Sequence, residues 1–164
     1  MDRSTPTLEQ RFDDLLSRNR RRIGAIAHSY GGRQSDDLLQ EILLQIWRSL
    51  PGLRQQIHVD TWCYRVALNT AFSWLRRVRR EAITAIEPAV AEQIVGSDDG
   101  HETGALLRRF LPTLNETDRA MVLMYLEDIS TTEMAEILGT TEGAIRVRIH
   151  RIKQKLTEWE ADLS

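Results

Sequence analysis

The chain has 164 residues, 41% hydrophobic and 28% charged, with a formal net charge of −2. Its apolar content suffices for packed cores and excludes wholesale disorder, and no apolar run approaches the roughly 18 residues of a membrane span. A single cysteine, Cys63, excludes an internal disulfide, and MDRSTPTLEQ lacks the apolar stretch of a signal peptide, so the expected location is the cytoplasm. The balanced total hides three basic clusters, at Arg18 to Arg22, Arg76 to Arg80 and Arg146 to Lys155. For nucleic-acid binding, this distribution matters more than the sum.

In chain order, Leu8, Phe12, Leu15, Leu16, Ile23, Ile26, Ala27 and Tyr30 recur at three- and four-residue spacing. They predict an amphipathic helix ended by Gly31-Gly32. Asp36 to Leu50 is a second helix, stopped by Pro51-Gly52. Its buried stripe is Leu39, Ile42, Leu43, Ile46 and Leu50, with Asp37, Gln40, Glu41, Gln45 and Arg48 on the other side. Leu53 to Asp60 reads as a loop. Thr61 to about Arg80 is a third helix, apolar on most of its circumference, with one polar line: Arg65, Asn69, Ser73, Arg76 and Arg80. Trp62, Phe72 and Trp74 on this helix read as core rather than as stacking platforms for bases.

Between Glu81 and Leu107 there is no Lys or Arg, six acids occur, and Pro88, Gly96, Gly100 and Gly104 interrupt any long helix. Ala89 to Val95 is a short helical stretch within this segment. The expected organisation is a domain over 1–82, a flexible acidic linker over 83–105 and a second domain over 106–164. In the latter, Leu106 to Leu114 and Thr117 to Leu126 are helical. Ser130-Thr-Thr-Glu133 has the form of a capping box before a helix ending near Gly139, and Thr140 or Thr141 caps a last helix running to about Trp159. No period-two run is long enough for a sheet. The predicted class is all-α: two small helical domains on one chain.

Thr131 to Leu156 fits a helix-turn-helix, which needs a small residue at the helix crossing, a turn glycine and an apolar seam. Ala135, Gly139 and the Ile145, Ile149, Ile152, Leu156 seam supply these. With the seam inward, Gly143, Ala144, Val147, His150, Arg151 and Gln154 point outward, flanked by Arg146 and Arg148. Arg151 is the candidate base reader in a major groove. Arg146, Arg148 and Lys155 are candidate phosphate contacts, which position without specifying. A solvated basic face on an ordinary helix pair is the competing reading.

Several stretches resemble a known family. The run Asp36-Asp37-Leu38-Leu39-Gln40-Glu41-Ile42-Leu43-Leu44-Gln45-Ile46-Trp47 resembles the region-two helix of bacterial RNA polymerase sigma factors of the extracytoplasmic-function (ECF) type, in the sigma-70 family. Trp62-Cys63-Tyr64-Arg65-Val66-Ala67-Leu68-Asn69 followed by Leu75-Arg76-Arg77 resembles the next part of that region, and Gly139 to Arg151 is similar to region four. The likeness spans roughly Leu8 to Arg80 and Leu106 to Leu156, in the family's order. It implies a non-enzymatic initiation factor that binds core RNA polymerase and directs it to promoter DNA. The implied polymerase contacts are Asp37, Gln40, Glu41 and Leu44. The implied minus-ten readers are Arg65, Asn69, Ser73, Arg76, Arg77 and Arg80, with the loop from Arg54 to Val59 capturing a flipped base. Arg146, Val147, Arg148, His150, Arg151 and Lys155 then face the minus-thirty-five element. The resemblance also implies control by an anti-sigma factor. Ser73 stands where many relatives have Asp, and Val147 where many have Ser, so element preferences do not carry over from any relative.

Other chemistry lacks residues to support it. There is no P-loop, no Gly-rich dinucleotide turn and no paired cysteine motif. His58 and Cys63 would make half a metal site, but no further ligands stand at recognisable spacing, and His28, His101 and His150 are isolated. No catalytic residue, metal or cofactor is expected. The alternative function is a stand-alone helix-turn-helix regulator whose N-terminal half senses a ligand or dimerises. Asp36 to Arg80 discriminates the two, because a sensor domain has no reason to combine an acidic helix with a basic one ending in Arg76 and Arg77.

Overall fold

The computed structural model describes residues 5–54, 58–84 and 102–164. Among them are seven α-helices, three short 3-10 turns and no strand. The expected short helix at Ala89 to Val95 lies outside the described residues. No described helix is long and apolar enough to cross a membrane.

Helix α1 (Leu8–Gly31) opens with a capping box: the Thr7 hydroxyl accepts from the Gln10 amide at 3.2 Å, and Gln10 Oε1 accepts from the Thr7 amide at 2.9 Å. It ends at the glycine pair, where Gly32 takes φ 55°, a region closed to most side chains. Helix α2 (Ser35–Ser49) runs into a 3-10 turn at Leu50–Gly52 that carries Pro51. Helix α3 (Val59–Thr84) is longer than expected at both ends. Val59 and Asp60 are helical rather than loop because the first turn is anchored: the Asp60 carboxylate accepts from Asn19 Nδ2 at 2.7 Å and from Arg18 Nε at 3.3 Å. A carboxylate there also faces the positive end of the helix dipole. At the other end, no Gly or Pro interrupts the chain before Pro88.

These three helices form a bundle around Ile26, Leu38, Ile42, Ile46, Cys63, Ala67 and Ala71, all 0% exposed. The α2 stripe is rolled from its expected position: Leu38 takes a core site, while Leu39 and Leu43 are only half-buried. The roll follows from Leu38, Ile42 and Ile46 keeping a strict four-residue spacing along one row of the helix. Opposite them, Cys63, Ala67 and Ala71 make a small-residue row that lets α3 approach closely. Phe12 meets Trp47 edge to face at 5.1 Å.

The second group begins with α4 (Glu102–Phe110), which starts earlier than expected and contains Gly104 near its beginning rather than being broken by it. After a 3-10 turn at Leu111–Thr113 come α5 (Glu116–Leu126), α6 (Thr131–Leu138) and α7 (Glu142–Asp162). Phe110, Met121, Met124, Met134 and Ile145 fill the centre, with Trp159 tilted against Phe110 at 5.5 Å.

The two groups pack on each other, and their buried side chains form one continuous cluster. Tyr30, 4% exposed, donates its hydroxyl to the Glu116 carbonyl at 2.6 Å. Arg119 lies over the Tyr30 ring at 5.1 Å and donates to the Ser29 carbonyl at 3.1 Å and the Leu111 carbonyl at 3.2 Å. Burial pushes the Tyr30 phenol well above its ordinary pKa, so it remains a donor at any physiological pH. Ile46→Ala, which opens a cavity inside the bundle, is expected to cost about 2 to 5 kcal/mol. Tyr30→Phe, which removes one hydrogen bond, is expected to cost about 0.5 to 1.5 kcal/mol. Urea unfolding of both variants measures the difference, and equal losses would contradict this division between core and contact.

Candidate nucleic-acid interface

The last helix is set by its local sequence. Gly139 takes the left-handed conformation at φ 66°, closing α6, and the Thr141 hydroxyl accepts from the Ala144 amide at 3.2 Å to start α7. At the start of α6 the Ser130 hydroxyl likewise accepts from the Glu133 amide at 3.2 Å. Ile145 and Ile152 are buried and Ile149 and Leu156 half-buried, which turns Gly143, Ala144, Val147, His150, Arg151 and Gln154 to solvent. Val147 is 52% exposed. A groove of about 470 Å³ runs along this face, lined by Asp118, Gly143, Ala144, Val147, Arg148, Arg151 and Lys155.

The cations of α7 are not equivalent. Arg146 pairs with Glu142 at 3.2 Å, one turn earlier on its own helix. Glu142 also accepts from the Thr132 hydroxyl at 2.7 Å, tying the first turns of α6 and α7 together. Arg148 Nε donates to Asp118 Oδ1 at 2.6 Å, and Lys155 Nζ lies 3.6 Å from Asp118 Oδ2. Lys153 sits 5.0 Å over the Tyr125 ring. Among the described residues Arg151 has no ion-pair partner, which leaves its guanidinium available at the centre of the groove. Sequence reasoning missed Asp118. An acid in the first turn after an Asn cap reads equally well as a helix-dipole partner, and nothing local points it at a residue 30 positions away.

On α3 the polar line is intact: Arg65, Asn69, Ser73, Arg76 and Arg80 are all exposed, with Arg77 and Arg79 beside them. Arg76 donates to the Ser73 hydroxyl at 3.1 Å. Arg77 donates to Glu41 of α2 at 2.7 Å, and this hydrogen bond and charge hold its guanidinium above its ordinary pKa. Two members of the basic surface reach the second group: Arg65 donates to the Glu136 carbonyl on α6, and Arg79 pairs with the Glu116 carboxylate on α5. The aromatic residues of this helix pack inward. Trp74 is 8% exposed, Trp62 and Phe72 are half-buried against the core, and Phe72 meets Tyr30 edge to face at 5.7 Å. Residues 55–57 of the loop between Arg54 and Val59 lie outside the described residues.

On α2, Asp37, Gln40 and Leu44 are exposed, Leu44 by 44%. Glu41 differs from them: it is partly buried and committed to Arg77, so the acidic face of α2 and the basic end of α3 are one connected surface. Cys63 is fully buried. Burial first, and then the neighbouring Asp60 carboxylate, pushes its thiol up to about 12, so it behaves as a small apolar side chain. Among the described residues no three His, Cys, Asp or Glu side chains are grouped to hold a metal ion.

Comparison with known proteins matches both halves. The family model for Sigma-70 region 2 matches residues 15–81, and that for Sigma-70 region 4 matches residues 105–156. The chain is 29% identical over 160 residues to the ECF RNA polymerase sigma factor SigE of Mycolicibacterium smegmatis, covering 92% of this chain and 62% of that protein. It is 29% identical over 170 residues to the RNA polymerase sigma factor CarQ of Myxococcus xanthus, covering 99% of this chain and 97% of that protein. Among solved structures, the sigma factor RpoE of Bartonella quintana, in complex with the anti-sigma factor NepR, has the same fold with a TM-score of 0.69 at 23% identity, covering 90% of this chain and 94% of that chain. CnrH, in complex with the cytosolic domain of CnrY, gives a TM-score of 0.68 at 23% identity, covering 93% of this chain and 89% of that chain. With region 2 matched on the three-helix bundle and region 4 on the helix-turn-helix, in that order, the chain belongs to the sigma-70 family and, within it, to the ECF sigma factors.

Proposed function

We propose that this chain binds core RNA polymerase and directs it to promoters, with residues 1–82 engaging polymerase and the minus-ten element, residues 106–164 reading the minus-thirty-five element, and 83–105 linking them. The observation that carries this reading is the pairing of two separate solvent-facing basic surfaces, the polar line of α3 and the outer face of α7, on one short chain. On α7, Arg151 is the base reader, His150 and Val147 flank it, and Arg146, Arg148 and Lys155 meet phosphates. On α3, Arg65, Asn69, Ser73, Arg76, Arg77 and Arg80 meet the minus-ten strand. Asp37, Gln40, Glu41 and Leu44 form the polymerase contact. An apolar leucine among acids suits a protein interface better than a phosphate backbone.

Strand opening costs about 0.6 to 2.2 kcal/mol per base step in stacking, and a factor without an ATP motor meets that cost by holding the separated strand. Because Trp62, Phe72 and Trp74 face the core, this falls to the polar line and the neighbouring loop. Arg65 is engaged by the Glu136 carbonyl of α6 in the packed arrangement, so it meets the minus-ten strand only when that hydrogen bond opens. Phosphodiester bond formation belongs to the polymerase, and the chain acts in the cytoplasm, where the template lies. The solved complex of RpoE with its anti-sigma factor supports similar control of this chain by an anti-sigma protein.

In-vitro transcription with core polymerase tests the reading. Promoter-specific transcripts are expected, and transcript starts mapped after overexpression give both elements. Their absence, together with tight binding of a palindrome by a dimer of the free chain, would establish the regulator alternative instead. Asp37→Lys is expected to weaken core binding while sparing DNA affinity, measured by fluorescence anisotropy. It is a cleaner probe than Glu41→Lys, which also breaks the pair with Arg77. Arg151→Ala is expected to cost about 1 to 3 kcal/mol in upstream-element binding and to relax base preference there; an unchanged preference would remove Arg151 from base readout.

A further inference from the structure

Among the described residues Asp118 is the one buried carboxylate, and it faces the reading surface: its side chain is 6% exposed, on the floor of the groove that Val147 and Arg151 line. Its two oxygens serve Arg148 at 2.6 Å and Lys155 at 3.6 Å, residues seven apart and therefore two turns apart on one face of α7. A single carboxylate thus holds two turns of the reading helix from beneath. Asp118 is itself held in place. Its amide donates to the Asn115 cap at 2.8 Å, and the next residue, Arg119, is tied to the Leu111 and Ser29 carbonyls. Among the described residues Arg148 is engaged through Nε alone, which leaves the two Nη groups, with four of its five N–H donors, for a phosphate. Both cations remain about half exposed, at 45% and 57%.

We infer that Asp118 is a positioning residue for upstream-element readout: it fixes the rotation of α7 about its axis and the heading of Arg148, so that Val147 and Arg151 meet the base edges in register. The inference rests on the reading of α7 as the DNA-facing helix. It separates from a simple charge effect by sign. A carboxylate that only neutralises cations weakens all DNA binding, so its removal tightens binding to every duplex and leaves base preference unchanged. A carboxylate that positions the helix does otherwise, because its loss flattens the preference.

The test uses holoenzyme assembled from core polymerase and the full chain, on the promoter mapped by transcript starts, with its upstream element randomised. Enrichment from this pool gives the base preference of the wild-type chain, Asp118→Asn, Asp118→Glu, Arg148→Ala and the Asp118→Asn/Arg148→Ala double variant. The wild type is expected to enrich one motif. Asp118→Asn and Arg148→Ala are each expected to lower discrimination against a scrambled element by about tenfold, within the range of coupling inside one ion-pair network. The double variant is expected to lose no more than either single one, and Asp118→Glu to recover part of the loss. Binding to a scrambled duplex stays level or tightens in Asp118→Asn. Wild-type preference in Asp118→Asn, or losses that multiply in the double variant, overturns the inference. Should Asp118→Asn fail to fold, a wild-type preference in Arg148→Ala and Asp118→Glu overturns it equally. A wild-type holoenzyme that transcribes but enriches no upstream motif overturns the reader role of α7 and the inference with it, whereas absence of any transcript overturns the sigma-factor reading itself.

Discussion

Two consecutive charged residues at the start of α5 organise this molecule. Asp118 is 4% exposed, and the neighbouring Arg119 is half-buried, its pKa lowered by burial. A buried charge without a partner costs several kcal/mol, so each side chain demands one. They find them on opposite sides. Asp118 takes Arg148 and Lys155 of the reading helix, while Arg119 takes the Ser29 carbonyl and the Tyr30 ring of α1. One turn of helix therefore connects the outer face of α7 to the three-helix bundle.

This arrangement bears on how a two-element reader is built. A factor that grips two promoter elements needs two modules, each with one face for DNA, and needs them far enough apart to reach both sites. In the packed arrangement α5 and α6 lie against α1 and α3, with Arg65 and Arg79 engaged by the second module. The contact combines the continuous apolar cluster with hydrogen bonds and the cation-π stack of Arg119 on Tyr30. The exposed hydrogen bonds of Arg65 and Arg79 contribute little net stability, since protein and solvent partners compete on nearly equal terms.

The two surfaces are also coupled within the first module. Glu41 lies on the acidic face of α2, yet its carboxylate is spent on Arg77 of α3. Docking of α2 on a partner and placement of the basic end of α3 are therefore not independent. An exposed pair of this kind contributes little to stability. Its value lies in setting where two long side chains rest before either meets a macromolecule.

Much of the fold was legible in the sequence because it is written in local chemistry. Helix ends follow from Gly32, Ser130, Gly139 and Thr141, each acting on residues within four positions of itself. The helical period likewise gave the exposed line on α3 and the outward face of α7. Where the sequence reading erred, neighbours had decided: Leu38 displaced Leu39 from the core, and Asp60 began a helix because Asn19 and Arg18 held it. The contacts of Tyr30 with Glu116 and of Ser29 with Arg119 span 86 and 90 residues, and that of Asp118 with Arg148 spans 30. Periodicity and capping are properties of neighbouring residues and carry no information at that range. Which charge is buried, and which partner it then requires, is settled only when helices pack and water is excluded between them.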